Sequence, residues 1–88
     1  MLTLAKIQTY DRFGGDMDGY SRARGGGDTS GITDADWRMI ERLLHAVYLV
    51  EARLAGEAFR VQTEQELQAV TADEQAREAL RRLARRLS

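Results

Sequence analysis

The glycines of this chain are confined almost entirely to one segment. Of the 8 glycines in 88 residues, all but Gly56 lie between Gly14 and Gly31. Glycine costs about 0.5–1 kcal/mol relative to alanine inside a helix or strand, because its backbone loses more freedom on folding. The clustering therefore predicts irregular backbone over residues 14–32, with at most a turn near Met17 to Tyr20, and regular elements on either side.

A short helix is predicted before this segment. Apolar side chains recur there at three-residue spacing: Leu4, Ile7 and Tyr10. Thr3 suits the position that caps a helix start, and Gly14 suits the left-handed residue that ends one. We expect a helix from Leu4 to Phe13. A strand with alternating side chains over residues 2–6 is the alternative.

The longest amphipathic segment begins at Thr33. Thr33 can cap a helix, and Asp34 and Asp36 in the first turn suit the positive end of the helix dipole. At roughly 100° per residue, apolar side chains fill half of the circumference, against the usual stripe of about 100°. They are Trp37, Met39, Ile40, Leu43, Leu44, Val47, Tyr48, Val50 and Leu54. We expect a central helix that ends near Gly56 and touches more than one neighbour.

Two residues depart from this pattern. Glu51 falls within the apolar arc, and an unpaired buried carboxylate is costly. It must therefore lie at the rim near the helix end, or an arginine must reach it. Leu49 falls on the polar face, where a single exposed leucine is ordinary. It is also a candidate for a partner surface.

Two more helices are predicted after Gly56. The first carries a narrow stripe at helical spacing: Phe59, Thr63, Leu67 and Val70. Thr71 and Glu74 then have the spacing of a capping box, which marks a helix start. The last helix carries Ala76, Leu80, Leu83 and Leu87.

The predicted fold is all-α: a small bundle of three to four helices with an irregular glycine-rich N-terminal loop. We expect one domain over residues 1–88, divided into a short helix (1–13), the loop (14–32) and a helical core (33–88). So short a chain cannot hold a dinucleotide-binding fold or an eight-unit barrel. It has no apolar run near the length of a membrane span, so we expect no membrane association and a cytoplasmic location.

Two motifs resemble ligand loops but fail in detail. Residues 26–33 follow the spacing of a phosphate-binding loop, yet Ile32 stands where the loop needs its lysine. Aligning Gly19 with the glycine of a calcium loop places Gly14 and Gly25 at ligand positions that require oxygen side chains. We therefore expect turns and caps from the aspartates of this segment, Asp16, Asp18 and Asp28, and a weak cation site at the same three carboxylates is the alternative.

The composition argues against an enzyme. There is no cysteine, only one histidine and a formal net charge of -1. His45 has no neighbouring nucleophile at a useful helical spacing, and paired carboxylates occur only in the glycine-rich segment. We therefore predict a non-enzymatic protein with no catalytic residue, no cofactor and no metal.

The leading hypothesis is protein–protein interaction with self-association, as a homo-oligomer or with another protein. The core is small, and the leucine stripe of the last helix lacks obvious partners in the chain. Phe13, Met17 and Tyr20 are large apolar side chains in or beside the glycine-rich segment. Such side chains more often anchor a loop to the core, but they also suit a recognition surface. The candidate surface residues are Phe13, Met17, Tyr20, Leu49, Leu80, Leu83 and Leu87.

Nucleic-acid binding is the alternative hypothesis. A helix rich in arginine can lie along a phosphate backbone. The candidate phosphate contacts are Arg77, Arg81, Arg82, Arg85 and Arg86. Against this reading, no aromatic residue is interleaved with them, and the rest of the chain is slightly acidic.

Overall fold

The computed structural model of the chain describes residues 1–24 and 31–87. The regular elements of these residues are all helices, which confirms the all-α prediction. They are α1 (Leu4–Phe13), α2 (Met17–Arg24), α3 (Asp34–Glu51), α4 (Glu57–Val70) and α5 (Glu74–Leu87). The described part of the chain thus has five helices, where three to four were predicted.

Helix α3 is the centre of the fold, as its wide apolar arc predicted. The Thr33 hydroxyl accepts the Asp36 N–H and the Asp36 carboxylate accepts the Thr33 N–H, so the helix opens with a reciprocal cap. Helix α3 packs against α5, α4 and α1. Its fully or almost fully buried side chains are Trp37, Ile40, Leu43, Leu44 and Val47.

Helix α1 spans the residues predicted for it. The Thr3 hydroxyl accepts the Lys6 N–H at 3.3 Å, which satisfies one of the free donors of the first turn. Gly14 ends the helix with φ of +59°, a backbone conformation that glycine adopts without strain. The helix assignment is therefore confirmed over the strand alternative.

The prediction of irregular backbone over residues 14–32 is wrong for Met17–Arg24, which form α2. Only one glycine, Gly19, lies inside this helix, while the others flank it. The Asp16 carboxylate accepts the Gly19 N–H at 3.0 Å, and the Asp16 carbonyl accepts the Tyr20 N–H at 3.0 Å. A Cβ at position 19 would lie 2.5 Å from the Asp16 carboxylate, so glycine fits beneath this cap. Predicted loop residues 25–30 lie outside the described residues.

Helix α3 ends at Glu51 rather than near Gly56. Arg53 has φ of +59°, and its N–H bonds to the Val50 carbonyl at 3.1 Å. The Leu54 N–H bonds to the Leu49 carbonyl at 2.8 Å. This pair of bonds is a Schellman motif, in which arginine occupies the left-handed position that glycine usually takes. The predicted apolar arc therefore loses Leu54, which is 67% exposed.

The predicted capping box at Thr71 and Glu74 does not form. Helix α5 begins at Glu74, and Asp73 caps it because its carboxylate accepts the Gln75 N–H at 2.9 Å. The Thr71 hydroxyl instead accepts the Asp73 N–H at 3.3 Å, within the turn between α4 and α5. Aspartate caps a helix as well as threonine does, and it lies closer to the first residue of α5.

Candidate interaction surface

Aromatic side chains of α1 and α2 meet at Trp37. The Tyr20 ring stacks on Trp37 with centroids 4.6 Å apart and planes 20° from parallel. The ring centroids of Tyr10 and Trp37 are 4.6 Å apart, and those of Phe13 and Trp37 are 6.4 Å apart. Met17 is half-buried and packs against the same core. These contacts anchor α1 and α2 to the first turn of α3.

Tyr20 is fully buried and does not form part of an exposed surface. Its hydroxyl donates to the Ile32 carbonyl at 3.1 Å, which ties α2 to the segment that leads into α3. Its polar group is satisfied inside the core, as the burial of a tyrosine requires. Of the three predicted residues in this segment, only Phe13 and Met17 reach the surface in part.

The predicted leucines have different positions in the fold. Leu80 is fully buried, and Leu83 is half-buried against the core. Leu49 is half-buried at the end of α3. Leu87 is 62% exposed at the end of α5.

The stripe of α5 has partners within the chain, contrary to expectation. Ala76, Leu80 and Ala84 are fully buried, and α5 packs on both α3 and α1. The alanines allow a close approach of the helices, and Leu80 fills the space between them. One argument for self-association, an α5 stripe without partners, is therefore removed.

The five arginines of α5 all form ion pairs with carboxylates of this chain. Arg81 reaches Glu64 of α4 at 3.1 Å, and Arg86 reaches Asp11 of α1 at 3.0 Å. The remaining three, Arg77, Arg82 and Arg85, pair within α5 with Glu74 or Glu78. The predicted phosphate contacts thus lie in a network that joins α5 to its neighbours.

Electrostatics within this network favour the charged forms. Burial alone would lower the pKa of Arg81, but Glu64 and Glu74 outweigh it, and the net pKa is raised. The hydrogen bonds and charge of Arg77 hold the pKa of Glu74 below its ordinary value. Arg77 also donates to the Thr71 carbonyl at 2.8 Å, so it holds the turn before α5. These arginines stabilise the fold through local pairs.

Arg85 pairs with Glu51, the carboxylate that falls within the apolar arc of α3. Its guanidinium lies 3.4 Å from the Glu51 carboxylate, and the Glu51 side chain is 28% exposed. Both predicted solutions therefore hold, because Glu51 lies at the end of α3 and an arginine reaches it. The pair links the ends of the two most extensively packed helices.

A groove of about 960 Å³ runs between α1 and α5. Leu4, Ile7, Ala79 and Leu83 give it an apolar floor, and the Arg86–Asp11 ion pair lies among its lining residues. Of the predicted site residues, it brings together Leu83, Arg82, Arg85 and Arg86. Since their charges already pair within the chain, the groove presents no free cluster of one sign.

Among the described helices α4 is the most exposed, although none of the predicted site residues lies in it. Every residue from 57 to 62, the first half of α4, is exposed. Val61 is 40% exposed and Phe59 is 39% exposed, and Leu54 in the preceding turn is also exposed. Only Thr63 and Leu67 of α4 are buried. The narrow stripe of this helix was the available signal, since one covered side leaves the opposite side in solvent.

Residues 1–24 and 31–87 contain no group of three or more His, Cys, Asp or Glu side chains placed to hold a metal ion. None of the helices they form is both long and apolar enough to cross a membrane.

No protein-family model matches the chain, and no curated protein or solved structure matches it.

Proposed function

We propose that this protein acts by protein–protein interaction, without catalysis, and that it associates with further copies of itself. The observation that supports this most directly is the one-sided packing of α4. This helix packs on α3, while every residue from 57 to 62 is exposed. A helix gains most of its stability in a protein from packing, so a half-covered helix is suited to a second contact.

Exposed apolar side chains occur at this end of the molecule. Leu54, Phe59 and Val61 lie within eight positions of the chain, and all three are exposed. Phe59 and Val61, two positions apart, point to different sides of α4, and Val61 lies on the side away from the buried Thr63 and Leu67. The described part of the chain is elongated, 43 × 25 × 19 Å, so its surface is large for its volume. Burial between copies would reduce that surface.

The alternative hypothesis, nucleic-acid binding through α5, has weaker support. Each of its five candidate arginines already contacts a carboxylate within the chain. Binding a phosphate would require those pairs to break, which offsets the gain from counterion release. A salt titration with duplex and single-stranded DNA distinguishes the two hypotheses. A cytoplasmic location and a single-domain organisation stay predictions from the sequence.

Sedimentation velocity across a concentration series from micromolar to millimolar tests the proposal. We expect the average mass to rise above 9.9 kDa as concentration increases. A single 9.9 kDa species throughout the series would contradict self-association.

Two matched leucine variants test the surface. Leu54→Glu places a charge beside α4, and Leu87→Glu places one at the end of α5, on leucines that are 67% and 62% exposed. We expect Leu54→Glu to weaken association and Leu87→Glu to leave it unchanged. The reverse result would favour the C-terminal surface that the sequence predicted.

A further inference from the structure

We infer that two copies of this chain pair through α4, side by side and antiparallel, about a two-fold axis that passes between the two helices at the level of Thr63 and Glu64. The inference rests on the proposed self-association and assigns its interface. The contact face, called here the α4 stripe, runs the length of the helix. It consists of Ala58, Val61, Gln62, Gln65, Gln68 and Ala69.

The α4 stripe is exposed and uncharged. All six residues are exposed, and at roughly 100° per residue they share an arc of about 120° opposite the buried side of the helix. Charged residues make up 31% of the chain, so an exposed helical face without one is unusual. Depletion of charge is the compositional feature of the centre of a protein interface.

The charged residues of α4 all lie outside the stripe and pair within the chain. Glu64 pairs with Arg81 of α5, and Glu66 pairs with Arg42 of α3. Glu57 and Arg60 pair with each other. A second copy could therefore contact the stripe without breaking an ion pair or burying an unpaired charge, which is the main cost of covering a polar surface.

Four of the six residues of the stripe make its central line complementary to itself. Ala58, Gln62, Gln65 and Ala69 follow one another at spacings of four, three and four, and the series reads the same in both directions. A two-fold interface requires such a match, because each residue meets its counterpart on an identical surface. In the antiparallel arrangement Ala58 faces the partner's Ala69, and Gln62 faces the partner's Gln65.

The side chains suit those pairings. Alanine opposite alanine permits helix axes to approach within the usual distance of about 8–10 Å. A glutamine amide has both donors and an acceptor, so two facing glutamines can bond reciprocally. Val61, at the edge of the stripe, adds apolar contact.

The size of the helix sets the expected strength. Fourteen residues of helix are about 21 Å long, and a stable interface buries about 800 Å² on each partner. One pair of helices of this length falls short of that area unless the turn around Leu54 contributes. We therefore expect a dimer with micromolar or weaker affinity.

Charge variants test the pairing. Gln65→Glu places two carboxylates near the axis, and we expect it to raise the dimer dissociation constant by roughly tenfold. Adding Gln62→Arg to the same chain should restore association, because each arginine then faces a carboxylate of the partner. Gln8→Glu, the same change at an exposed residue of α1, is the control and should leave the dimer dissociation constant unchanged. Both glutamines are exposed in helices, so folding should survive, as circular dichroism would verify.

Cysteine cross-linking tests the direction. The chain contains no cysteine, so single substitutions report cleanly. A mixture of Ala58→Cys and Ala69→Cys chains should form a disulfide-linked heterodimer faster than either variant forms a homodimer, because each of these residues lies about 16 Å along the helix from the partner's copy of itself. Faster homodimer formation by each variant alone would indicate parallel pairing and overturn the inference.

The outcomes separate this inference from the proposed function. Wild-type association that is weakened by Gln65→Glu and restored by the second substitution supports both. If the wild type associates and neither Gln65→Glu nor the added Gln62→Arg changes the dissociation constant, the α4 interface is overturned and self-association stands. A monomer at every concentration overturns both.

Discussion

Arg85 of α5 and Glu51 of α3 approach to 3.4 Å and join the C-terminal ends of the two helices. Arg85 also lies 3.3 Å from Glu78 on its own helix. Arg85 thus pairs with the Glu51 carboxylate, which lies within the apolar arc of α3.

The Glu51–Arg85 pair should stabilise the protein modestly. Arg85 is half exposed, and exposed pairs are typically worth about 0.2–1 kcal/mol. A double-mutant cycle with Glu51→Gln and Arg85→Ala, read by urea unfolding, should give a coupling energy in that range. The coupling should shrink in high salt, because solvent-exposed charges are screened. Additive effects of the two substitutions would show that the contact contributes nothing.

Arg53→Gly should stabilise the protein. Arg53 has φ of +59°, and a side chain in the left-handed region costs roughly 1–2 kcal/mol, a strain that glycine avoids. The gain is partly offset by the larger entropy of glycine in the unfolded chain, so we expect a net increase of about 0.5–1 kcal/mol in the free energy of unfolding. Arg38→Gly is the matched control.

Arg38 is exposed within α3, where glycine should instead cost about 1 kcal/mol. Thermal unfolding of both variants beside the wild type measures the contrast. Equal destabilisation by the two substitutions would rule out the left-handed turn after α3.

Asp16→Ala should destabilise α2. It removes the carboxylate that accepts the Gly19 N–H, and loss of such a cap costs about 1 kcal/mol. Asp18→Ala, two residues later and exposed, removes the same charge but not this hydrogen bond. Unfolding followed by the fluorescence of Trp37, on which Tyr20 stacks, reports on both variants. The prediction fails if Asp18→Ala costs as much as Asp16→Ala.

Acid should weaken the cap of α3. Burial opposes ionisation of Asp36, but hydrogen bonds from Thr33 and Lys6 outweigh it and lower the pKa of the carboxyl group. A lowered pKa contributes stability that is complete above the unfolded value, 3.8, and is lost as the pH falls through the folded value.

We therefore expect the stability difference between wild type and Asp36→Asn to be largest near neutral pH and to shrink below the unfolded pKa. Urea unfolding at a series of pH values measures it. Asp18→Asn, which removes a charge from the first turn of α2, is the control. A difference that stays constant down to the most acid pH would contradict the assignment.

Helix positions were predictable where local residues determine them. Thr3, Gly14 and Thr33 act through hydrogen bonds or backbone preferences within a few residues, and each lies where the sequence placed it. Glycine density over a long window was misleading, because α2 contains only Gly19 and is held by Tyr20 stacking on a residue far along the chain. Local pattern carries no information on that contact.

The candidate surface was less predictable than the fold. The sequence pattern gives the apolar stripes of α4 and α5 but not which stripe other helices cover. The chain folds so that Leu80 is enclosed and Leu54 is exposed, contrary to the expected order. Arginine in the left-handed position at Arg53 could not be foreseen either, because glycine fills that position in most helices. That turn ends α3 early and exposes Leu54.

The ion pair between Asp11 and Arg86 has a consequence for synthesis of the chain. Helix α1 packs more extensively on α5 than on α2 or α3, so its main partner is the last helix of the fold to be made. On a ribosome α1 emerges before α5, so that contact cannot form until the intervening helices have been made. Closing so long a loop carries an entropic cost that local helix pairs avoid. The order of translation therefore makes the docking of the first helix a late event in the assembly of the core.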